Sequence, residues 1–167
     1  ADVYASLCER LAGAGLGIYE TSNFCRPGAE ARHNLVYWLR RDYLGLGPSA
    51  HGLWRGTRYG NHYATERWAA GLEAGRPCDE RETESARSRA DEIVMLGLRL
   101  SRGVSAADHP PGRWREVTGR FGAAFHSGLA TGRLAATDDG VRIARRPRFV
   151  ADDVIAWLMV AAARSDT

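Results

Sequence analysis

Apolar residues recur at helical spacing near the start of the chain, where Val3, Leu7 and Leu11 share one face. A helix is therefore predicted over residues 3–14, ended by the glycines that follow. In residues 16–24, apolar or aromatic side chains alternate with polar ones, which is typical of a strand. A helix, a tight glycine turn and a strand make half of an α/β repeat. Such a strand requires parallel neighbours that the rest of the chain barely supplies.

The middle of the chain alternates short apolar segments with turns. Residues 42–48 are predicted to form a short strand that runs into a turn containing Gly45 and Gly47, followed by a strand at 53–59 and a helix at 61–71. Glycine turns at the ends of α/β strands are common ligand edges. More often they only allow the chain to bend. The turn by itself is therefore compatible with a ligand-binding edge and with an ordinary turn.

The second half of the chain has the most regular helical pattern. Residues 82–100 combine a charged first turn with a broad apolar face and predict a helix. Two short helices are predicted over 113–121 and 123–131, a β-hairpin around the turn at 138–140, and a last helix over 148–164. Three helices, a hairpin and a helix follow the order of a winged-helix-like module.

A charged segment at residues 76–85, with Pro77 near its start, separates these two patterns. Its composition predicts a linker. The predicted domains are therefore residues 1–75 and 86–167.

The segment HNLVYW at residues 33–38 places an imidazole among aromatic groups. Side chains three and four positions apart share a helix face, so His33 is expected beside Tyr37 and Asn34 beside Trp38. This surface is compatible with an ordinary core that contains a satisfied histidine. It is also compatible with a site for a flat ligand that carries a metal at its centre. The spacing alone leaves both interpretations open.

Composition narrows the class of protein. The chain is 44% hydrophobic and 26% charged, as in a soluble globular protein, and no apolar run approaches the length of about 18 residues of a membrane span. Its first residues have neither a basic start nor an apolar signal core, so a cytoplasmic protein is expected. All 23 basic residues are arginine, which resembles genomic base composition, and the net charge of +3 does not by itself imply nucleic acid.

Three cysteines, Cys8, Cys25 and Cys78, are odd in number and far apart. This spacing is neither a disulfide framework nor a zinc or iron–sulfur motif. Three reduced thiols are expected.

Three linked segments carry a resemblance to a known family: residues 19–28 (YETSNFCRPG), 32–38 (RHNLVYW) and 42–52 (DYLGLGPSAHG). Together they resemble the radical-SAM haem chaperones of the HemW type, which are related to the oxygen-independent coproporphyrinogen III oxidases. Residues 81–100, the hairpin and the last helix resemble the C-terminal domain of the same family. The resemblance covers nearly the whole chain.

The resemblance implies an α+β fold with two parts. The first is the C-terminal end of a radical-SAM partial (β/α) barrel, and the second is a mostly helical, winged-helix-like C-terminal domain. Members of the family begin with a catalytic domain whose CxxxCxxC loop binds a [4Fe-4S] cluster. This chain has no such motif. It is therefore expected to be a C-terminal fragment that is not catalytic alone, with the cluster and S-adenosylmethionine bound only in the full-length parent.

The haem site implied by the family signature HNxxYW consists of His33, Asn34, Tyr37 and Trp38. His33 is the expected ligand of the haem iron, since a histidine imidazole is a common haem ligand. Tyr37 and Trp38 would flank the porphyrin, and Asn34 would orient the histidine or cap the helix.

A second implied site is the edge of the S-adenosylmethionine pocket. In the family, the turn that contains Gly45, Gly47 and Ala50 resembles this edge. Phe24 and Arg26 are expected near the same end of the barrel.

The expected function is haem binding and transfer to acceptor proteins. The resemblance suggests respiratory cytochromes as the acceptors. Self-association is also expected. An oxygen-independent coproporphyrinogen III oxidase is the alternative, against which HNxxYW argues. A remote alternative is a winged-helix nucleic-acid binder, based on residues 82–167 and on an arginine strip. The strip comprises Arg142, Arg145, Arg146 and Arg148. Because the chain is rich in arginine, a solvent-exposed face is the favoured interpretation of the strip. No nucleic-acid partner is therefore expected.

Overall fold

Helices and short antiparallel sheets make up the described part of the protein, residues 2–144 and 151–164 of a computed structural model. The helices are α1 (Asp2–Gly13), α2 (Arg32–Trp38), α3 (Thr65–Glu73), α4 (Ala86–Gly97), α5 (Pro111–Ala130) and α6 (Ala151–Arg164). The strands are β1 (Gly17–Ile18), β2 (Phe24–Cys25), β3 (His51–Trp54), β4 (Thr57–Asn61), β5 (Cys78–Thr83), β6 (Val104–Ser105), β7 (Leu134–Ala136) and β8 (Gly140–Ile143). The α+β class is therefore confirmed. Among the described residues, no helix is both long and apolar enough to cross a membrane.

The N-terminal helix is confirmed as α1, but the single strand predicted over residues 16–24 is wrong. Instead β1 and β2 pair antiparallel, with Ile18 opposite Phe24. The chain reverses direction around Ser22 and Asn23, which are residue types that favour turns. The expected parallel strand of an α/β repeat is thus replaced by a short hairpin.

The sheet β3–β4–β5 is antiparallel and follows chain order. The prediction of one strand over residues 53–59 is wrong, because the chain turns back at Arg55 and Gly56. Both turn residues have positive φ, 50° and 78°, as tight hairpin turns require. Before this sheet, the strand predicted at 42–48 is reduced to one bridge, in which Tyr43 pairs with Leu53.

The helix predicted over residues 61–71 is confirmed as α3, displaced toward the C-terminus. The predicted linker at 76–85 contains the strand β5, which pairs with β4. Its charged sequence CDERET forms an edge strand, where charged side chains are common. The division of the chain into two domains stays a prediction.

The predicted long helix is confirmed as α4, which begins after Ser85, whose hydroxyl caps the backbone of Ser88 at 3.0 Å. The prediction of two short helices over 113–131 is wrong, since α5 is one helix of 20 residues. Gly122 lies inside it without a break. The burial of Phe121 and Phe125 on one face explains the continuity, because tertiary packing outweighs the weak helix propensity of a single glycine.

The predicted hairpin is confirmed as β7 and β8, and β6 pairs with the other edge of β8. The last predicted helix is confirmed as α6 from Ala151 onward. Its predicted first residues, 148–150, lie outside the described residues, as do Arg145, Arg146 and Arg148 of the arginine strip. Arg142 lies in β8 and is half-buried.

One apolar core lies between α4, α5, α6 and the β6–β8–β7 sheet. Phe121, Leu98 and Leu158 are completely buried in it. The earlier part of the chain contacts this core unit through α2, which lies against α4, and through the bridge between Glu20 and Leu100. These contacts place α2 at the boundary between the two parts, with its first residues exposed to solvent.

Candidate functional site

An aromatic row on α2 contains the predicted iron ligand. His33 and Tyr37 are one turn apart, their rings meet edge to face at 5.0 Å, and the Tyr37 hydroxyl lies 3.2 Å from His33 Nε2. The ring of Tyr37 in turn contacts the ring of Tyr43, with centroids 4.8 Å apart. His33 is exposed, and Tyr37 retains 38% of its accessible surface. The imidazole is therefore accessible and borders a continuous aromatic surface.

The other two members of the signature have different surroundings. Asn34 donates from Nδ2 to the hydroxyl of Tyr19 at 3.2 Å, which ties α2 to the segment after β1. Trp38 is half-buried, and within the described part of the chain its Nε1 has no hydrogen-bond partner. The predicted pairing of His33 with Tyr37 is thus present, whereas Asn34 forms a hydrogen bond with Tyr19.

Ion pairs fix the C-terminal end of α2. Arg40 follows the helix, is 3% exposed, and donates from Nε to Glu92 on α4 at 2.7 Å. Arg58 on β4 reaches the same carboxylate at 2.8 Å, and Arg40 also pairs with Glu84. Burial makes such contacts less screened than surface pairs. This cluster fixes α2 and β4 against α4.

The glycine turn is held by two side chains of β4. The backbone N–H of Gly45 donates to the hydroxyl of Tyr59 at 2.9 Å. Asn61 Nδ2 donates to the carbonyls of Gly45 and Gly47, at 3.1 and 2.8 Å. A Cβ on Gly45 would lie 2.4 Å from the carbonyl oxygen of His51, so only glycine allows this close approach. Several polar backbone groups of the turn are therefore already hydrogen-bonded.

The remaining members of the predicted cofactor edge have separate contacts. Ala50 is half-buried, and its carbonyl accepts from the backbone of Asn61 at 2.9 Å. Phe24 lies in β2, where its ring contacts Tyr4 of α1 with centroids 6.3 Å apart. Arg26 is exposed. The ring contact of Phe24 therefore connects β2 to α1.

The cysteines do not converge. Cys8, Cys25 and Cys78 are free and half-buried, and burial, with a smaller effect of Glu30, raises the pKa of the Cys25 thiol. Within the described residues, no group of three histidine, cysteine or acidic side chains is placed to hold a metal ion. That the three cysteines are reduced thiols stays a prediction.

Four residues that position these sites were not among the predicted site residues. Tyr19 and Tyr43 flank α2, and Tyr59 and Asn61 hold the glycine turn. Tyr19 and Tyr43 stand inside the motifs that carry the family resemblance, which is a signal that could have found them. Tyr59 and Asn61 have no such signal, because their partners are more than ten positions away and depend on the sheet.

Comparison with solved structures defines the class. The chain is similar in fold to "Coproporphyrinogen III oxidase (HemN) from Escherichia coli", described as a radical SAM enzyme, with a TM-score of 0.65 over 94% of this chain and 40% of that chain. The sequence identity is 12%, so this similarity shows the fold alone. The fold is that of part of a HemN-type radical-SAM protein.

Curated relatives narrow the class. The "Heme chaperone HemW" of Mycobacterium tuberculosis is 34% identical over 165 residues, and that of Bacillus subtilis is 27% identical over 155 residues. The mitochondrial "Radical S-adenosyl methionine domain-containing protein 1" of Danio rerio is 27% identical over 172 residues. These matches cover 93%, 92% and 95% of this chain, but 38%, 41% and 38% of the relatives. No protein-family model matches.

The chain belongs to the HemW-like family of radical-SAM haem chaperones, which confirms the resemblance seen in its motifs. It spans about two fifths of the length of the relatives that it matches.

Proposed function

We propose that this chain binds haem, with His33 as a ligand of the iron, and that the protein to which it belongs passes haem to acceptor proteins. The observation that carries the proposal is the exposed His33 imidazole at the edge of the Tyr37 and Tyr43 rings. An accessible imidazole supplies a haem ligand, and an aromatic surface suits a flat porphyrin.

The hydrogen bond between His33 and Tyr37 supports this role. Histidines that bind metals usually donate their second ring N–H to a partner, which fixes the tautomer and the ring orientation. Donation from Nε2 to the Tyr37 oxygen, 3.2 Å away, would leave the lone pair of Nδ1 for the iron. Tyr37 would therefore act as a positioning residue, while Asn34 and Trp38 would complete the haem site from the rest of the signature.

The finer assignments belong to the same proposal. Residues 1–75 would be the end of a radical-SAM partial barrel, with Phe24, Gly45, Gly47 and Ala50 at the edge of an S-adenosylmethionine pocket. The order α4, β6, α5, β7, β8, α6 supports a winged-helix-like C-terminal domain. The [4Fe-4S] cluster and S-adenosylmethionine would be bound by the whole protein, a cytoplasmic haem carrier whose expected acceptors include respiratory cytochromes.

Haem titration tests the central claim. The purified chain is titrated with haemin while the Soret band is recorded, and the same titration is made with His33→Ala. Loss of the shifted Soret band and at least a tenfold weaker affinity are expected for the variant. The matched control is His126→Ala, an exposed histidine on α5, which should bind as the unchanged chain does. Identical Soret spectra for the unchanged chain and His33→Ala would refute the role of His33.

A further inference from the structure

A cleft lies where β1 and α2 meet the segment that follows α4. Its volume is about 460 Å³, which is within the usual range for small-molecule sites. Such sites are common at the boundary between two parts of a protein. The lining residues that matter below are Ile18, Tyr19, Glu30, Leu35, Leu100 and Arg102.

Hydrogen bonds join the two walls of the cleft. Ser101 donates from its backbone N–H to the carbonyl of Tyr19 at 2.8 Å, and its hydroxyl donates to the carbonyl of Ile18 at 2.5 Å. Glu20 and Leu100 form a β-bridge beside these bonds. The cleft is therefore built into the contact between the two parts of the chain. Among the described residues that line it, none belongs to the haem site or to the S-adenosylmethionine edge assigned above.

Apolar side chains from both parts of the chain line the cleft. Leu100 of the core unit is buried, and Ile18 of β1 and Leu35 of α2 are half-buried. Tyr19 adds an aromatic ring to the same lining. Ligand pockets are lined mostly by apolar and aromatic groups, with a few polar groups that fix the orientation of the ligand. This lining favours a ligand with a compact apolar body.

One carboxylate of the cleft has no counter-charge. Glu30, in the loop before α2, is half-buried, and within the described residues its carboxylate has neither an ion pair nor a hydrogen bond. The other charged residue of the lining, Arg102, is paired with Asp108 at 2.8 Å. A carboxylate that is partly removed from water is stabilised by a cation that pairs with it. The charge of the lining therefore favours a cationic ligand.

The kind of cation follows from the groups around Glu30. A metal ion requires several ligands, and the described part of the chain holds no group of three histidine, cysteine or acidic side chains that could bind one. An ammonium group donates up to three hydrogen bonds and is also attracted by an aromatic ring such as that of Tyr19. The hydroxyl of Tyr19 accepts a hydrogen bond from Asn34 at 3.2 Å, which holds this residue in place. One carboxylate and one fixed aromatic ring thus suit a protonated amine.

We propose that this cleft binds a small protonated amine with a compact apolar body. Its ammonium group lies at the carboxylate of Glu30 and the ring of Tyr19, and its apolar part lies against the three aliphatic side chains of the lining. The proposal does not depend on haem binding at His33, because the recognition uses apolar area and one carboxylate without a metal.

The test pair is 1-aminoadamantane and 1-adamantanol, because both have the same apolar cage and only the amine is charged at neutral pH. Binding to the chain is measured by isothermal titration calorimetry. We expect the amine to bind about tenfold more tightly than the alcohol, and Glu30→Gln to remove this difference. The matched control is Glu73→Gln, an exposed glutamate at the end of α3, which should leave the binding of the amine unchanged.

Hydrogen exchange followed by mass spectrometry locates the bound amine. Exchange should slow in the peptides that contain Ile18 and Leu100, which lie on the two walls, and should stay the same in the peptide that contains Gly45.

Equal binding of the amine and the alcohol, or unchanged affinity in Glu30→Gln, would overturn the proposal. An equal loss in Glu73→Gln would show a general effect of charge, and slower exchange only outside the two walls would assign the amine to another surface. Either result would contradict the cleft as the site. The haemin titration of His33→Ala is a separate measurement, so failure of the amine to bind leaves the proposed haem site standing.

Discussion

Arg40 and Glu92 are 52 positions apart in the chain and meet at 2.7 Å, which joins the end of α2 to the middle of α4. The side chain of Arg40 is 2% exposed, and that of Glu84, its second partner, is 6% exposed. The position of the His33 row relative to the core unit therefore depends on a buried charge cluster.

Replacing Arg40 should weaken the contact between the two parts of the chain and lower the free energy of unfolding. Arg40→Met removes the buried partner of Glu84 and Glu92, although Arg58 still pairs with Glu92 and Arg89 lies 3.8 Å from Glu84. The expected cost is therefore at the lower end of the about 3–5 kcal/mol of a broken buried pair. Urea unfolding measures the loss.

The control is Arg67→Met, which removes a pair with Asp79 in which the two side chains are 69% and 36% exposed and should cost less than about 1 kcal/mol. Equal losses in the two variants would contradict the structural role of Arg40.

The glycine turn should loosen when the hydroxyl of Tyr59 is removed. In Tyr59→Phe the N–H of Gly45 loses its acceptor, and a group left unpaired in this way costs about 1–3 kcal/mol. Hydrogen exchange followed by mass spectrometry should show faster exchange in the peptide that contains Gly45, with α4 unchanged. Tyr63→Phe, at a side chain that is 86% exposed, is the control. Unaltered exchange in the Gly45 peptide would show that the hydroxyl does not hold the turn.

Acid should destabilise the protein through His109, which follows the 3-10 helix at Ala106–Asp108. Burial lowers the pKa of His109 below its ordinary value of 6.5, opposed by Asp108 and reinforced by Arg113. The unfolded chain therefore binds the proton more readily than the folded one. Neutral His109 stabilises the folded state. This contribution to the free energy of unfolding is complete above about pH 6.5 and is lost as the pH falls through the lower pKa of His109 in the folded state.

Replacement of His109 by glutamine should remove part of this acid sensitivity. The unfolding midpoint is compared at about pH 7.5 and about pH 5.5 for the unchanged chain, His109→Gln and His126→Gln. A smaller difference between the two pH values is expected in His109→Gln alone. If all three proteins lose the same stability on acidification, His109 is not the responsible group.

Local patterns predicted the helices and the C-terminal hairpin well. The apolar periodicity of α1 and α4 and the Asp-Gly turn before β8 are properties of neighbouring residues, and they survive folding unchanged. The helix over HNLVYW and the contact of His33 with Tyr37 follow in the same way, because side chains one turn apart lie on the same face of a helix.

Some sequence patterns are compatible with two different local structures, and for these the predicted secondary structure was wrong. Alternation over residues 16–24 fits one strand as well as two paired dipeptides. Gly122 predicted a break in α5, but the buried faces on either side of it keep the helix continuous.

The sequence by itself determined the family, the α+β class and the aromatic row of α2, since these depend on residue identity and on spacing within one element. Tertiary structure alone decided that Arg40 is buried against Glu92, that Tyr59 and Asn61 hold the glycine turn, and that Glu30 borders a cleft with Leu100. The physical reason is strand pairing and helix packing, which bring together residues far apart in the chain and set which face of each strand meets the core.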